Sequence, residues 1–331
     1  MGEVLPCSVI LAPGSGAHDC GGHPEGEERL ITALSGVPAD IPVRTAASAS
    51  EKELALVHDR SYIGAVRERC EATSTVSFLD ADTYITPSSY TVAARAAGSA
   101  IAAVERAIDG EHAFALVRPP GHHAEAARAM GFCIFNNAAV AAASALRSVS
   151  RVAIVDWDYH HGNGTEHIFS TSAQVLYCSV HDGGAFPHTG SVRETGHGNG
   201  AGFTINAPLG AGAVLSDYVH VFYRVFAPAI ERFDPDVVII SAGQDILFDD
   251  PLGMMGIRPE DFEVLTHVLA HASNVPLALV LEGGYGPSHG QAIAHIFRAL
   301  QFNGRVQGHD LPPPSPDTAG LVATLQSIHG L

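Results

Sequence analysis

Four short segments of the chain carry residue types suited to hydrolytic chemistry. In Asp156-Trp157-Asp158-Tyr159-His160-His161-Gly162-Asn163-Gly164, Asp158 and His160 stand two residues apart. On an extended backbone both side chains leave the same face, so a carboxylate and an imidazole converge as two arms of a metal site with O and N donors. Asp156 points to that face one step back, either as a third ligand or as a partner that orients a histidine. Asp245, in Ser241-Ala242-Gly243-Gln244-Asp245, brings a ligand from elsewhere in the chain. Each residue has an ordinary explanation by itself, because carboxylates at strand ends often cap the next helix. Together, two carboxylates and an imidazole neutralise a divalent cation and leave coordination positions open, as a catalytic metal requires. Zinc is the default ion, and oxygen-rich ligation also suits Fe(II) or Co(II).

The other two segments supply proton transfer and oxyanion stabilisation. His122 and His123 follow Arg118-Pro119-Pro120-Gly121. A bound divalent ion can lower the pKa of water to about 7, which matches imidazole, so one of these histidines can take that proton near neutrality. Each needs a partner on its other ring nitrogen, and Asp156 and Asn163 are the candidates. Tyr285 sits in Glu282-Gly283-Gly284-Tyr285-Gly286, where the glycines leave its ring free to move. A phenol aimed at a carbonyl would stabilise a tetrahedral oxyanion, a contact commonly worth about 3 kcal/mol. Histidine pairs on surfaces and tyrosines in turns are commonly inert. The coincidence of four such segments argues for a site.

What must position them is legible in the apolar pattern. Each segment directly follows a bulky apolar run: 113–117, 152–155, 237–240 and 277–281. Apolar on both faces, these runs predict central strands of a parallel sheet covered by helices. Helical stretches are expected at 90–109, ending before Gly110, at 138–147, and at 217–233 with a kink or restart at Pro228. Alternating strand and helix gives an α/β fold with an open, mostly parallel sheet, and such sheets bind ligands beyond the carboxyl ends of their strands. Residues 183–213 are Gly-rich and predict a long structured loop around one short strand. The tail from Leu311 carries Pro312-Pro313-Pro314 and reads as a linker followed by a docked helix, so that 1–331 forms a single domain.

Composition narrows the function classes. The 331 residues carry a formal net charge of −17, which disfavours non-specific nucleic-acid binding, since that depends on Lys and Arg neutralising phosphates. The same charge favours cationic molecules. No stretch approaches the roughly 20 apolar residues of a membrane span. The first residues lack the basic region and apolar core of a secretory signal, and Gly2 is not followed by the Ser or Thr of a myristoylation signal. Five cysteines at 7, 20, 70, 133 and 178 form no C-x-x-C and suggest neither a disulfide framework nor a thiolate metal site. A reducing cytoplasm fits them, and self-association is possible. Nineteen histidines against eighteen Lys plus Arg raise the expectation of metal chemistry without locating it.

Six segments, in this order, resemble the histone deacetylase and acetylpolyamine amidohydrolase superfamily: R-P-P-G-H-H at 118–123, G-F-C-I-F-N-N at 131–137, D-W-D-Y-H-H-G-N-G-T at 156–165, S-A-G-Q-D at 241–245, D-P-L-G at 250–253 and E-G-G-Y-G at 282–286. H-P-E-G-E-E-R-L at 23–30 is similar to it as well. The resemblance implies an arginase-like α/β fold with helices on both faces of the sheet, and zinc on Asp158, His160 and Asp245. It implies His122 and His123 as the tandem catalytic histidines, His123 as general base, Asp156 and Asn163 as their partners, and Tyr285 as the group that polarises the acyl carbonyl. It further implies a structural potassium ion near Asp156, Asp158, His160, Ser179 and Val180. Phe132 and Phe186, with Gly131 and Leu252, would line the acyl-lysine tunnel.

Some departures place the chain within that superfamily. Asn163, where some members have Asp, puts it nearer the class II and bacterial branch. Gln244 stands where close relatives often have Phe, and Leu252 where a polyamine-selective branch carries Glu. The implied reaction is hydrolysis of an N-acyl amine, such as an acetyl-lysine side chain. Alternatives are an acetylpolyamine or other small-molecule substrate, a dinuclear arginase-like hydrolase, and a non-catalytic acyl-lysine binding module.

Overall fold

Short, mostly apolar runs build the scaffold. In the computed structural model, which describes residues 5–273, 275–301 and 311–331, eight of them form one sheet: β1 (Cys7–Leu11), β2 (Val43–Thr45), β3 (His112–Leu116), β4 (Val152–Asp156), β5 (Val175–Asp182), β6 (Thr204–Leu209), β7 (Val237–Ala242) and β8 (Leu277–Leu281). The order across the sheet is β2-β1-β3-β8-β7-β4-β5-β6, and every neighbouring pair is parallel. The expected arginase-like arrangement is present. The four runs that precede the reactive segments are β3, β8, β7 and β4, which lie side by side in the middle of the sheet with every residue buried. Each Val, Ile or Leu buried there contributes ~1.5–3 kcal/mol. The strands β1 and β5, which no reactive segment flagged, extend the sheet on either side.

Helices flank the sheet and fix its loops. Ser89–Ile108 packs on β1, β3 and β8 through an Ala-rich surface, and a Cβ at Gly98 would collide with the carbonyl of Ala47. It ends where Gly110 takes φ +95°. Asn137–Ala145 starts at Asn136, whose side chain accepts from the Ala139 N–H at 2.9 Å. The segment expected to restart at Pro228 runs as an α-helix over Leu215–Val221, widens into a π-turn over Phe222–Phe226, and resumes at Ala227–Phe233. Proline has no N–H to offer the carbonyl four residues back, and that carbonyl, on Arg224, instead accepts from Gln326 Nε2 at 3.1 Å. Gln326 belongs to the tail helix Pro316–His329, which docks through buried Val322 and Leu325. Among the described residues no helix is long and apolar enough to cross a membrane. The reading of the N-terminus bears on residues 1–4, which lie outside the described residues.

The carboxyl end of β3 is tied to the N-terminal segment by buried charge. Arg118 donates to Glu25 through Nε at 2.9 Å and Nη2 at 2.8 Å, both side chains are fully buried, and the Tyr84 hydroxyl joins them. Burial opposes charge on Glu25, but His18 and Arg118 hold its carboxyl well below the usual range. Breaking this pair leaves the buried Glu25 carboxylate to the longer contacts of His18 and Arg29, each at 3.5 Å. Arg118→Met should therefore lower the unfolding free energy by ~3–5 kcal/mol in denaturant titration, whereas a loss below ~1 kcal/mol would mark a pair no stronger than a surface one.

Candidate active site

The four reactive segments emerge from the carboxyl ends of β3, β4, β7 and β8 and meet above the centre of the sheet. Asp156 is the last residue of β4, in register with Ser241 of β7 and Ser179 of β5. The strand ends there, so Asp158 and His160 do not share a face by strand alternation, as the extended reading supposed. They converge because the chain turns on its own carboxylates: the Asp158 N–H donates to Asp156 Oδ1 (3.1 Å) and the His160 N–H to Asp158 Oδ1 (2.9 Å).

Asp158, His160 and Asp245 offer ligand atoms that all lie within 4.8 Å of one another, the one such His, Cys, Asp and Glu cluster among the described residues. Asp245 spends one oxygen on the backbone and keeps one for the cluster, whereas both oxygens of Asp158 accept a backbone N–H. Asp158 Oδ2 accepts from the Gly283 N–H (2.8 Å) and Asp245 Oδ1 from the Tyr159 N–H (2.9 Å). Asp158 Oδ1 and Asp245 Oδ2 are then left 3.3 and 3.0 Å from His160 Nδ1. Burial opposes charge on His160, yet the two carboxylates lift it to about 10. Burial and the charge of Asp158 raise Asp245 to about 7. Two buried carboxylates thus draw a cation into the space between them. Two O donors and one N donor fit a divalent ion such as zinc and leave positions open.

The adjacent histidines receive opposite partners. His122 Nδ1 is 3.1 Å from Asp156 Oδ2, and His123 Nδ1 is 2.9 Å from Asn163 Oδ1. Burial works against charge on His122, but Asp158, Asp156 and Glu282 outweigh it and lift the group to about 10. Burial also lowers His123, and the positive charges on His122 and His160 push it further, well below the ordinary imidazole value. One ring is held as a cation and the other neutral. Asn163 Oδ1 can only accept, so His123 carries its proton on Nδ1 and keeps Nε2 free.

Tyr285 faces the same space. Its N–H and that of Gly286 both donate to Asp250 Oδ2, at 2.6 and 2.9 Å. Arg29 lies against its ring, 4.8 Å from the centroid, and donates to the carbonyls of Gly284 and Glu282. Burial pushes the phenol well above its usual value against the pull of Arg29, so the hydroxyl remains a donor. A cavity of about 270 Å³ joins Tyr285 to the histidine pair and to Asp158, His160 and Asp245, with Gly131, Phe132, Phe186, Leu252 and Asp82 also on its wall. Phe132 adopts φ +68°, uncommon for a side chain of its size, with its N–H on Thr83 Oγ1 at 3.1 Å. Gly131 must be glycine, because a Cβ there would strike the His123 ring.

Ser179 and Val180 lie buried on β5 beside Asp156, and Ser179 Oγ is 2.8 Å from His181 Nδ1. Gln244 donates to the Ala242 carbonyl at 2.6 Å, and its buried Oε1 meets no hydrogen-bond partner among the described residues. Several residues that shape the site drew no role from sequence reasoning. Glu282 is fully buried and accepts from the N–H groups of Gly121 (2.6 Å) and His122 (3.1 Å), so it holds the tandem-histidine loop. Asp250 and Arg29 hold the Tyr285 loop. Asn136 ties the histidine loop to the next helix through the Ala124 carbonyl (3.2 Å) and Thr165 Oγ1 (3.0 Å). All lie within quoted motifs, but one-dimensional spacing carries no signal for which backbone groups they serve. Asp82 had no such signal at all.

Comparison with known proteins shows the family and the fold. Residues 23–300 match the family model described as "Histone deacetylase domain". Histone deacetylase 15 of Arabidopsis thaliana is 38% identical over 93% of this chain and 58% of its own length. A histone deacetylase-like amidohydrolase of Pseudomonas aeruginosa is 39% identical over 80% of this chain and 72% of its own. A human polyamine deacetylase is 37% identical over 92% of this chain and 48% of its own. The chain therefore spans about half the length of the plant and human relatives. The crystal structure of the HDA15 HD domain superposes with a TM-score of 0.90 at 32% identity, covering 99% of this chain and 95% of that one.

Gly283 packs so closely on the cluster that an added Cβ would collide with Asp245 Oδ2 and crowd Asp158 Oδ2. Gly283→Ala should weaken zinc binding by ~10–100-fold in calorimetric titration, with the far-UV circular dichroism unchanged. Equal affinity in the variant would place the ion elsewhere.

Proposed function

This chain belongs to the histone deacetylase family, and on that premise we propose that it is a zinc-dependent deacylase that hydrolyses an N-acyl amine to a carboxylate and a free amine. The observation that carries this reading is the shared cavity: a neutral histidine, a protonated tyrosine and a three-ligand cluster open on one space. Asp158, His160 and Asp245 would hold the ion, which would supply Lewis acidity for water and for the acyl carbonyl. His123 accepts the proton of the attacking water on Nε2 and passes it to the departing amine nitrogen. Asp158 and Asp156 favour the cationic form of His122 beside it, and that charge disfavours early protonation of His123. The Tyr285 hydroxyl donates to the carbonyl oxygen as negative charge develops there. Phe132 and Phe186 flank the substrate's aliphatic stem, and Gly131 leaves room for it.

The substrate we favour is an acyl-lysine side chain, which a narrow aromatic-walled cavity suits. An acetylated polyamine is the second reading, favoured by Asp82 on the cavity wall, by the net charge of −17 and by the polyamine deacetylase among the relatives. Fe(II) or Co(II) would suit the same donors. A potassium ion beside Asp156, Asp158, His160, Ser179 and Val180 would brace the loop that carries two of the ligands. We place the whole of 1–331 in one deacetylase domain working in the cytoplasm, where its five cysteines stay reduced.

Three measurements test the reading. Turnover of an acetyl-lysine peptide, acetylputrescine and acetylspermidine should cease on chelation and return with one zinc per chain; two ions per chain would favour a dinuclear hydrolase. Tyr285→Phe should cut kcat by ~100–1,000-fold with KM changed only a few-fold, and unchanged turnover would remove the tyrosine's role. His123→Ala should cost more turnover than binding; a protein that binds acyl-lysine but turns over none of the panel would be a binding module.

A further inference from the structure

The contact between Asn163 and His123 serves only one way round. An amide offers an acceptor at one end and donors at the other, and the two ends are nearly the same size. With Oδ1 toward His123 the ring must carry its proton on Nδ1. With Nδ2 there, the ring would be protonated on Nε2 and could accept nothing from water. Something else must decide the orientation.

That group is Glu125. Asn163 Nδ2 lies 3.0 Å from Glu125 Oε1 and 3.4 Å from Met130 Sδ, acceptors both. A flipped amide would set its oxygen against the carboxylate. Glu125 is itself held: its N–H donates to the Arg128 carbonyl at 2.9 Å, and the Arg128 guanidinium stands 3.5 Å from Oε1. Its own carbonyl accepts from His58 Nδ1 at 3.0 Å, while His58 Nε2 accepts from the Asn136 N–H at 2.9 Å. Burial keeps His58 neutral, lowered to about 4, so that ring has one tautomer and one role. Glu125 and Asn163 line a second cavity of about 880 Å³, distinct from the one that the metal cluster faces. Glu125 thus reaches His123 from behind, through one amide.

We propose that Glu125 is a positioning residue for deacylation: it fixes the Asn163 amide, and through it the Nδ1–H tautomer of His123, leaving Nε2 as the free acceptor. The proposal rests on His123 acting as the base, and its test keeps the two apart. In the full-length metal-loaded enzyme, E125L should lower kcat by about tenfold with KM within about twofold. E125Q, which still offers an oxygen, should recover most of that loss. In an N163D background, where either carboxylate oxygen can face His123, E125L should cost nothing or raise the rate by relieving two facing carboxylates. Ring ¹⁵N spectra should show His123 protonated on Nδ1 in the parent and divided between tautomers in E125L. E125S, too short to reach Asn163, repeats the series should leucine disturb folding. An unchanged kcat in E125L, equal losses in E125L and E125Q, a full loss in the N163D background, or an unshifted ¹⁵N spectrum would each overturn the proposal. If H123A keeps parental turnover, the base assignment fails, and the ¹⁵N spectrum alone then decides the amide lock.

Discussion

Asp158 and Asp245 bring two buried carboxylates to within reach of one imidazole at the wall of the cavity. Unpaired carboxylates are costly there, and among the described residues no Lys or Arg forms an ion pair with the cluster. Charge on His160, and on His122 at 3.7 Å from Asp158, relieves them, and on His160 it places positive charge where a divalent ion would sit. Much of the surrounding architecture keeps this arrangement from relaxing. The N–H groups of Gly283 and Tyr159 pin one oxygen of each carboxylate, and Gly243 and Gly283 pack so near that any side chain would displace Asp158 or Asp245.

The same device recurs at three of the four loops that enter the site. Where the chain leaves a parallel strand its N–H groups lose their ladder partners, and a buried carboxylate takes them up. Glu282 does this for Gly121 and His122, Asp250 for Tyr285 and Gly286, and Asp156 for Asp158. The acids that shape the loops then act on the titratable groups beside them. His122, near Asp156, Asp158 and Glu282, is raised, while His123, near two cationic rings and an amide, is lowered. Loop construction and proton placement are one set of contacts. The aromatic wall follows the same economy: Phe132 accepts an unfavourable φ because Thr83 holds its N–H and the rings of His23 and Tyr285 meet its edges.

How much of this was legible differs from residue to residue. The four central strands could be read because a strand covered on both faces must be apolar throughout, and 113–117, 152–155, 237–240 and 277–281 are. The edge strand Val43–Thr45 is exposed and short, with no such pattern, and passed unseen. Asp158 and His160 were chosen for the right residue types but by an incorrect geometry, since the strand stops at Asp156 and an aspartate turn brings them together.

By itself, then, the sequence determined the alternation of elements, the identity of the residues able to bind a cation or move a proton, and membership of a family whose motifs it carries in order. Those are local matters of side-chain chemistry, periodicity and spacing. Only the tertiary structure decided that the four loops face one cavity, that Asp156 belongs to His122 and Asn163 to His123, and that Glu282, Asp250, Arg29 and Glu125 stand behind them. Their partners lie across the chain, Gly121 and Glu282 being 161 positions apart, and only the crossover order of the sheet makes them neighbours.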